Sequence, residues 1–139
     1  MSRENVEIVR RIYEEWATGD FRASFDDLDP HIVFIVGPDF PDAGVFNGTE
    51  GVREYMRRFL EQWDRYTLTA NEIQAVGDTV IVGLTQRAQG RASGVQTEQS
   101  YYHVLTLRAG RIVRLDVLMH ERDALKAAGL SEQDTQADS

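Results

Sequence analysis

No cysteine occurs among the 139 residues, which excludes disulfides, thiolate nucleophiles and cysteine-bound metals. Basic charge is also scarce. Fifteen Lys and Arg stand against 23 Asp and Glu, for a net charge of −8, and no basic run exceeds two residues. That balance disfavours nucleic acid or an anionic membrane as a partner. Long apolar runs are missing too: the amino-terminal stretch MSRENVEIVRR is charged within its first four residues and has no signal-peptide or membrane-span core. The expectation is a soluble protein of the cytoplasm. Proline is rare, with three in the chain, and two of these, Pro38 and Pro41, fall close together. Their neighbourhood, Gly37 to Gly48, also holds three glycines and is expected to be a loop carrying Phe40 and Phe46 over something.

What remains is 42% hydrophobic and 27% charged, the make-up of one globular domain, placed at residues 1–129. Residues 130–139, polar after Leu130 apart from Ala137, are expected to be a disordered tail. The most informative stretch is Tyr101 to His120, two apolar runs joined at Arg108-Ala109-Gly110, which predicts a β-hairpin. Strand side chains alternate, so Tyr101, His103, Leu105 and Leu107 share a face. In the second arm Val113, Leu115, Val117 and Met119 form the apolar row, while Ile112, Arg114, Asp116 and Leu118 form the other. If the apolar rows face the interior, His103 goes with them, and Asp116 is expected on the outer face as a surface or dimer-contact residue.

Upstream, Val6, Val9, Ile12, Tyr13 and Trp16 follow the spacing of an amphipathic helix, with Ser2 as a cap and Gly19 as the stop. Asp20 is read as the cap of a second helix through Phe21, Phe25 and Leu28, ending before Asp29-Pro30. His31 to Val36 reads as a strand with Ile32, Phe34 and Val36 inward. Val52, Tyr55, Met56, Phe59, Leu60 and Trp63 mark a long helix. From Tyr66 the period drops to two, through Leu68 and Ala70, then Val80, Val82, Leu84 and Gln86, which predicts an antiparallel meander. Gln86 and Gln99 continue inward rows near strand ends, where their amides either face the interior or stay solvated. A turn is expected at Gly90–Gly94, and a helical turn or two around Ala124–Ala128.

Taken together, the runs RRIYEEWATGDF, LDPHIVF, PDFPDAGVFNGTEGVREYMRRF and GRIVRLDVLMHERDALKAAGL resemble the SnoaL-like proteins of the nuclear transport factor 2-like superfamily, across nearly the whole chain. The resemblance implies an α+β cone: three helices of the amino-terminal half packed in a strongly curved, mostly antiparallel sheet, with a pocket at the open end. It also implies a homodimer formed through the sheet's outer face. The superfamily includes ketosteroid isomerases, polyketide cyclases, epoxide hydrolases, dehydratases and members without chemistry, so the fold alone does not select an activity.

Position by position, most of the family's functional residues are absent. The isomerases' proton-shuttling aspartate matches Val36, and the cyclases' acid/base aspartate matches Val117. The isomerases' oxyanion-donor aspartic acid matches His103, and its tyrosine partner lies one residue out of register from Tyr13. Proton transfer beside a carbonyl needs a base and an oxyanion donor, each about 3 Å from its target. The inward polar groups available are His103, Tyr13, Gln86, Gln99, Tyr101 and Tyr55. His103 is the expected acid/base, with a tyrosine or glutamine as donor, and Trp16, Phe34, Tyr55, Phe59 and Trp63 shape the pocket. His31 and His120 lack metal-ligand spacing to each other or to His103, so neither metal nor cofactor is expected. Three readings stand open: an isomerase, cyclase or dehydratase acting on a small hydrophobic carbonyl compound, a non-catalytic binder of such a molecule, or a homodimeric interaction domain without chemistry.

Overall fold

The computed structural model describes residues 2–130. Helix α1 (Ser2–Ala17) comes first and turns its Val9, Ile12, Tyr13 and Trp16 stripe inward, all buried. The side chain of Ser2, read as its cap, lies outside the described residues, as does the tail from residue 131. Strand β1 (Leu28–Val36) follows, then β2 (Gly44–Asn47), helix α2 (Gly48–Leu60) and four long strands: β3 (Trp63–Val76), β4 (Thr79–Gly90), β5 (Gln96–Arg108) and β6 (Arg111–Leu118). A short helix, α3 (Glu121–Ala127), closes the described chain.

The six strands form one curved, unclosed sheet in the order β2-β1-β6-β5-β4-β3. Only β1 and β6 run parallel, and every other neighbouring pair is antiparallel. This is the expected α+β cone. One face takes α1 against β3 and α2 against β1 and encloses the main core. The opposite face carries α3, whose Ala124 and Leu125 pack on Ile81 and Val104.

Several local expectations change. Phe21 to Leu28 is not an α-helix: Ala23–Asp27 forms a 3-10 turn without a side-chain cap, and β1 already begins at Leu28. The Asp20 carboxylate instead accepts the Arg22 backbone N–H at 3.1 Å. Gly37–Gly48 is only partly loop, since Gly44–Asn47 pairs with Val33–Val36 as an edge strand. Helix α2 stops at Leu60, so Trp63 opens β3 rather than closing the helix.

The β5–β6 hairpin turns through Ala109 and Gly110, both at positive φ (51° and 78°), the backbone that a two-residue hairpin loop requires. A register shift follows between Thr106 and Leu107. One extra residue flips the alternation, so Ile112, not Val113, is buried beside Leu115 and Val117. Asp116 is on the outer face as alternation requires, yet it is buried rather than at the surface. Both of its oxygens accept from Arg114, at 2.9 and 3.1 Å. Among the described residues, no helix is long and apolar enough to cross a membrane.

Candidate functional site

The inner face of the sheet carries a lateral row at the level of His103. On β4 its neighbour is Val82, on β6 it is Val117, and Val117 in turn faces Val36 on β1. The two positions matched to family aspartates therefore share this row, Val117 beside His103 and Val36 one strand further on, and both are valine, which leaves the imidazole in an apolar row. Burial there holds His103 neutral, pushing its pKa down from 6.5 to about 3.

Helix α1 supplies what the row lacks. The hydroxyl of Tyr13 lies 2.5 Å from Nδ1 of His103, and the Trp16 ring, one helical turn on, stands edge-on to the imidazole with centroids 6.1 Å apart. Burial raises the Tyr13 pKa well above its ordinary value, so the phenol keeps its proton. Among the described residues that proton has no other acceptor, so Tyr13 donates to Nδ1 and the neutral imidazole carries its hydrogen on Nε2.

His103 lines a cavity of about 550 Å³. Trp16, Phe34, Tyr55, Phe59, Trp63, Gln86, Gln99, Tyr101 and Val117 line it too, so ten of the eleven residues singled out above converge there. The eleventh, Tyr13, is behind the imidazole rather than on the cavity wall. From α2 a run of rings crosses the cavity: Tyr55 lies 5.2 Å from Phe34 and 5.9 Å from Phe59, which meets Tyr66 edge-on at 5.0 Å.

Both glutamine amides are engaged. Gln86 is buried, and its Oε1 accepts from Tyr101 at 2.7 Å and from Tyr66 at 3.1 Å. Burial pushes the Tyr101 pKa up to about 12 and raises that of Tyr66 well above its ordinary value, so both phenols stay protonated. Gln99 is exposed near the rim and donates to the Met119 sulfur at 3.5 Å. Trp63 contributes the one buried side-chain polar atom, Nε1, with no hydrogen-bond partner among the described residues.

Sequence reasoning missed Phe21, Phe25, Phe40, Tyr66 and Asp42 as cavity residues. Tyr66 was legible as an inward strand position, and Phe21 and Phe25 as a helical spacing, but none was tied to the cavity. Among the described residues Asp42 is the wall's one carboxylate, and its Oδ2 accepts the Tyr55 hydroxyl at 2.5 Å. Among the described residues no Lys or Arg stands on the wall, and no cluster of three His, Asp or Glu could hold a metal.

A family profile described as a SnoaL-like domain matches residues 9–115. Three solved structures show the breadth of the likeness. An NTF2-like protein from Burkholderia thailandensis is 28% identical over 95% of this chain and 97% of its own, with a TM-score of 0.74. A candidate SnoaL-like polyketide cyclase from a Jannaschia species is 18% identical over 91% and 92%, also at 0.74. A protein with a ketosteroid isomerase-like fold from Catenulispora acidiphila, solved with trimethylamine, is 14% identical over 89% and 93%, at 0.71. No curated protein matches the chain.

Proposed function

The chain belongs to the SnoaL-like domain family of the nuclear transport factor 2-like superfamily, and from that premise we propose that its cavity takes up a small, largely apolar carbonyl compound and polarises the carbonyl oxygen through His103. The observation that carries this reading is the Tyr13 hydroxyl on Nδ1 at 2.5 Å. With Nδ1 occupied, the ring offers the cavity a donor, Nε2–H. A donor in an apolar, aromatic enclosure selects an acceptor, and a carbonyl oxygen is the acceptor that a hydrophobic molecule most readily brings. As a base the same ring is poor, because burial has lowered its proton affinity. As a donor it loses nothing, since negative charge developing on the oxygen during isomerisation, dehydration or aldol-type cyclisation strengthens the bond.

A second reading, binding without turnover, is favoured by Val36 and Val117, the valines at the positions where relatives place aspartates. The homodimer that the resemblance implies would use the part of the outer face that α3 leaves uncovered. Sedimentation equilibrium checks it: twice the chain mass supports the dimer and a single chain mass refutes it.

The direct test compares 2-tetralone with tetralin, its hydrocarbon counterpart, as stabilisers in thermal unfolding. A ligand at a hundred times its dissociation constant adds about 2.7 kcal/mol. The ketone is expected to bind wild type roughly tenfold better than the hydrocarbon, the worth of one hydrogen bond, and to lose that preference in His103→Leu. Equal affinity of ketone and hydrocarbon for wild type would sink the assignment of His103. Turnover assays on the ketones that bind then separate an enzyme from a carrier.

A further inference from the structure

Asp42 stands on the turn between β1 and β2, and that turn is fastened to the strands that carry the site. The Gly37 N–H donates to the Val117 carbonyl at 2.9 Å. A Cβ at Gly37 would meet the same oxygen at 2.8 Å, so only glycine allows this approach. Two backbone bonds, Phe40 to Gly37 and Ala43 to Phe40, each 3.2 Å, wind the turn. The Phe40 ring then packs edge-on against Tyr101 at 5.3 Å, and Tyr101 lies 5.7 Å from the His103 ring.

This places a half-buried carboxylate on the same wall as the imidazole. Tyr55 holds Oδ2, and among the described residues no hydrogen bond occupies Oδ1. Among the described residues no cation on the wall neutralises it. Its charge also bears on Tyr66 and Tyr101, whose phenol protons it helps to retain.

We propose that Asp42 is the proton acceptor of this site, that Tyr55 is its positioning residue, and that the substrate is an uncharged carbonyl compound with an α C–H. The proposal rests on the reading of His103 as the carbonyl's donor. Oδ1 takes the α proton, the C–H electron pair becomes the enolate double bond, and the carbonyl π pair moves to the oxygen held by Nε2–H. Return of the proton from Asp42 to the γ carbon of an enone completes an isomerisation. Alternatively the enolate reforms the carbonyl, a β C–O bond breaks, and the departing hydroxide takes the Asp42 proton as water. An anionic substrate would meet a carboxylate and no Lys or Arg, which restricts the class to neutral compounds.

The test is hydrogen exchange of 2-tetralone in D₂O, followed by proton NMR, with thermal shifts alongside. Wild type accelerates α exchange. Asp42→Asn slows it roughly hundred-fold or more while 2-tetralone still stabilises the protein to the same degree. Tyr55→Phe lowers the exchange rate at saturating 2-tetralone roughly tenfold while the ketone stabilises it as well as it does wild type, because the carboxylate is no longer held in place. The anion 2-naphthoate gives no stabilisation of wild type.

Exchange at the wild-type rate in Asp42→Asn would overturn Asp42 as the acceptor and leave the role of His103 standing. So would 2-tetralone binding to wild type without exchange. Loss of exchange together with loss of 2-tetralone binding in Asp42→Asn would make the residue a wall element and refute the proposal. Exchange at the wild-type rate in Tyr55→Phe would remove the positioning role, and 2-naphthoate binding as tightly as 2-tetralone would refute the restriction to neutral substrates. If wild type neither binds nor exchanges 2-tetralone, the carbonyl reading itself fails, and this proposal fails with it.

Discussion

Two phenols make the same bond in two different places. Tyr13 donates to His103 at 2.5 Å between α1 and the sheet, where both side chains are buried. Tyr55 donates to Asp42 at 2.5 Å on the cavity wall, where both partners are half-buried. Length does not distinguish the pairs, but surroundings do. His103 sits between Val82 and Val117 under the Trp16 ring, and neither member of the inner pair can carry charge cheaply. The outer pair keeps contact with water, so a carboxylate can serve there. Burial has sorted one acceptor into a neutral donor of hydrogen bonds and leaves the other free to hold and release a proton.

The largest way to expose that difference is acid. His103 has a folded pKa of about 3 against 6.5 for an unperturbed histidine, so between those values the unfolded chain takes up a proton that the native state refuses. Its contribution to stability is intact above pH 6.5 and is lost as pH falls toward 3, at about 1.4 kcal/mol per pH unit and several kcal/mol over the window. Urea unfolding of wild type and of the double variant Tyr13→Phe/His103→Leu, measured from pH 7 to 4, isolates this term from the carboxylates. The wild-type curve should fall more steeply; parallel curves would mean that the ring is solvated.

Next in size is the inner hydroxyl. Tyr13→Phe orphans Nδ1 and should cost about 1–3 kcal/mol, as should His103→Leu, which orphans the phenol. Because the double variant leaves no unpaired polar group at the bond, its loss should be clearly smaller than the sum of the two single losses, by about 1 kcal/mol or more. Additive losses would mean that the two groups do not depend on each other. The smallest effect is at the rim: Tyr55→Phe should change stability by no more than about 1 kcal/mol, since water can replace the hydroxyl on Asp42. A loss as large as that of Tyr13→Phe would erase the contrast.

The inner pair was legible because both members sit on strictly periodic elements. Alternation along Tyr101–Leu107 points His103 inward, the three-and-four spacing of α1 points Tyr13 inward, and the resemblance brings them near each other. The rim pair was only half legible. Tyr55 lies on the α2 stripe, but Asp42 follows no period. Its direction comes from the Gly37–Ala43 turn, hence from a backbone contact to Val117 and a ring contact to Tyr101 that are remote in sequence. Periodicity also failed where one residue was gained. The shift after Thr106 exchanges Val113 for Ile112. Trp63 kept helical spacing from Leu60 across the Glu61-Gln62 turn although the helix had ended, and it reached the cavity from a strand. Asp116 shows a third limit: alternation placed it on the outer face correctly but could not foresee the Arg114 pairing that accompanies its burial.

The most direct test of the central claim is the protonation of His103 itself, read by long-range proton–nitrogen NMR on uniformly ¹⁵N-labelled protein, with His31→Gln and His120→Gln to assign the exposed rings. A neutral imidazole is expected, with its hydrogen on Nε2 and an accepting Nδ1, unchanged from pH 7 down to pH 4. A hydrogen on Nδ1, or a titration near 6.5, would contradict it.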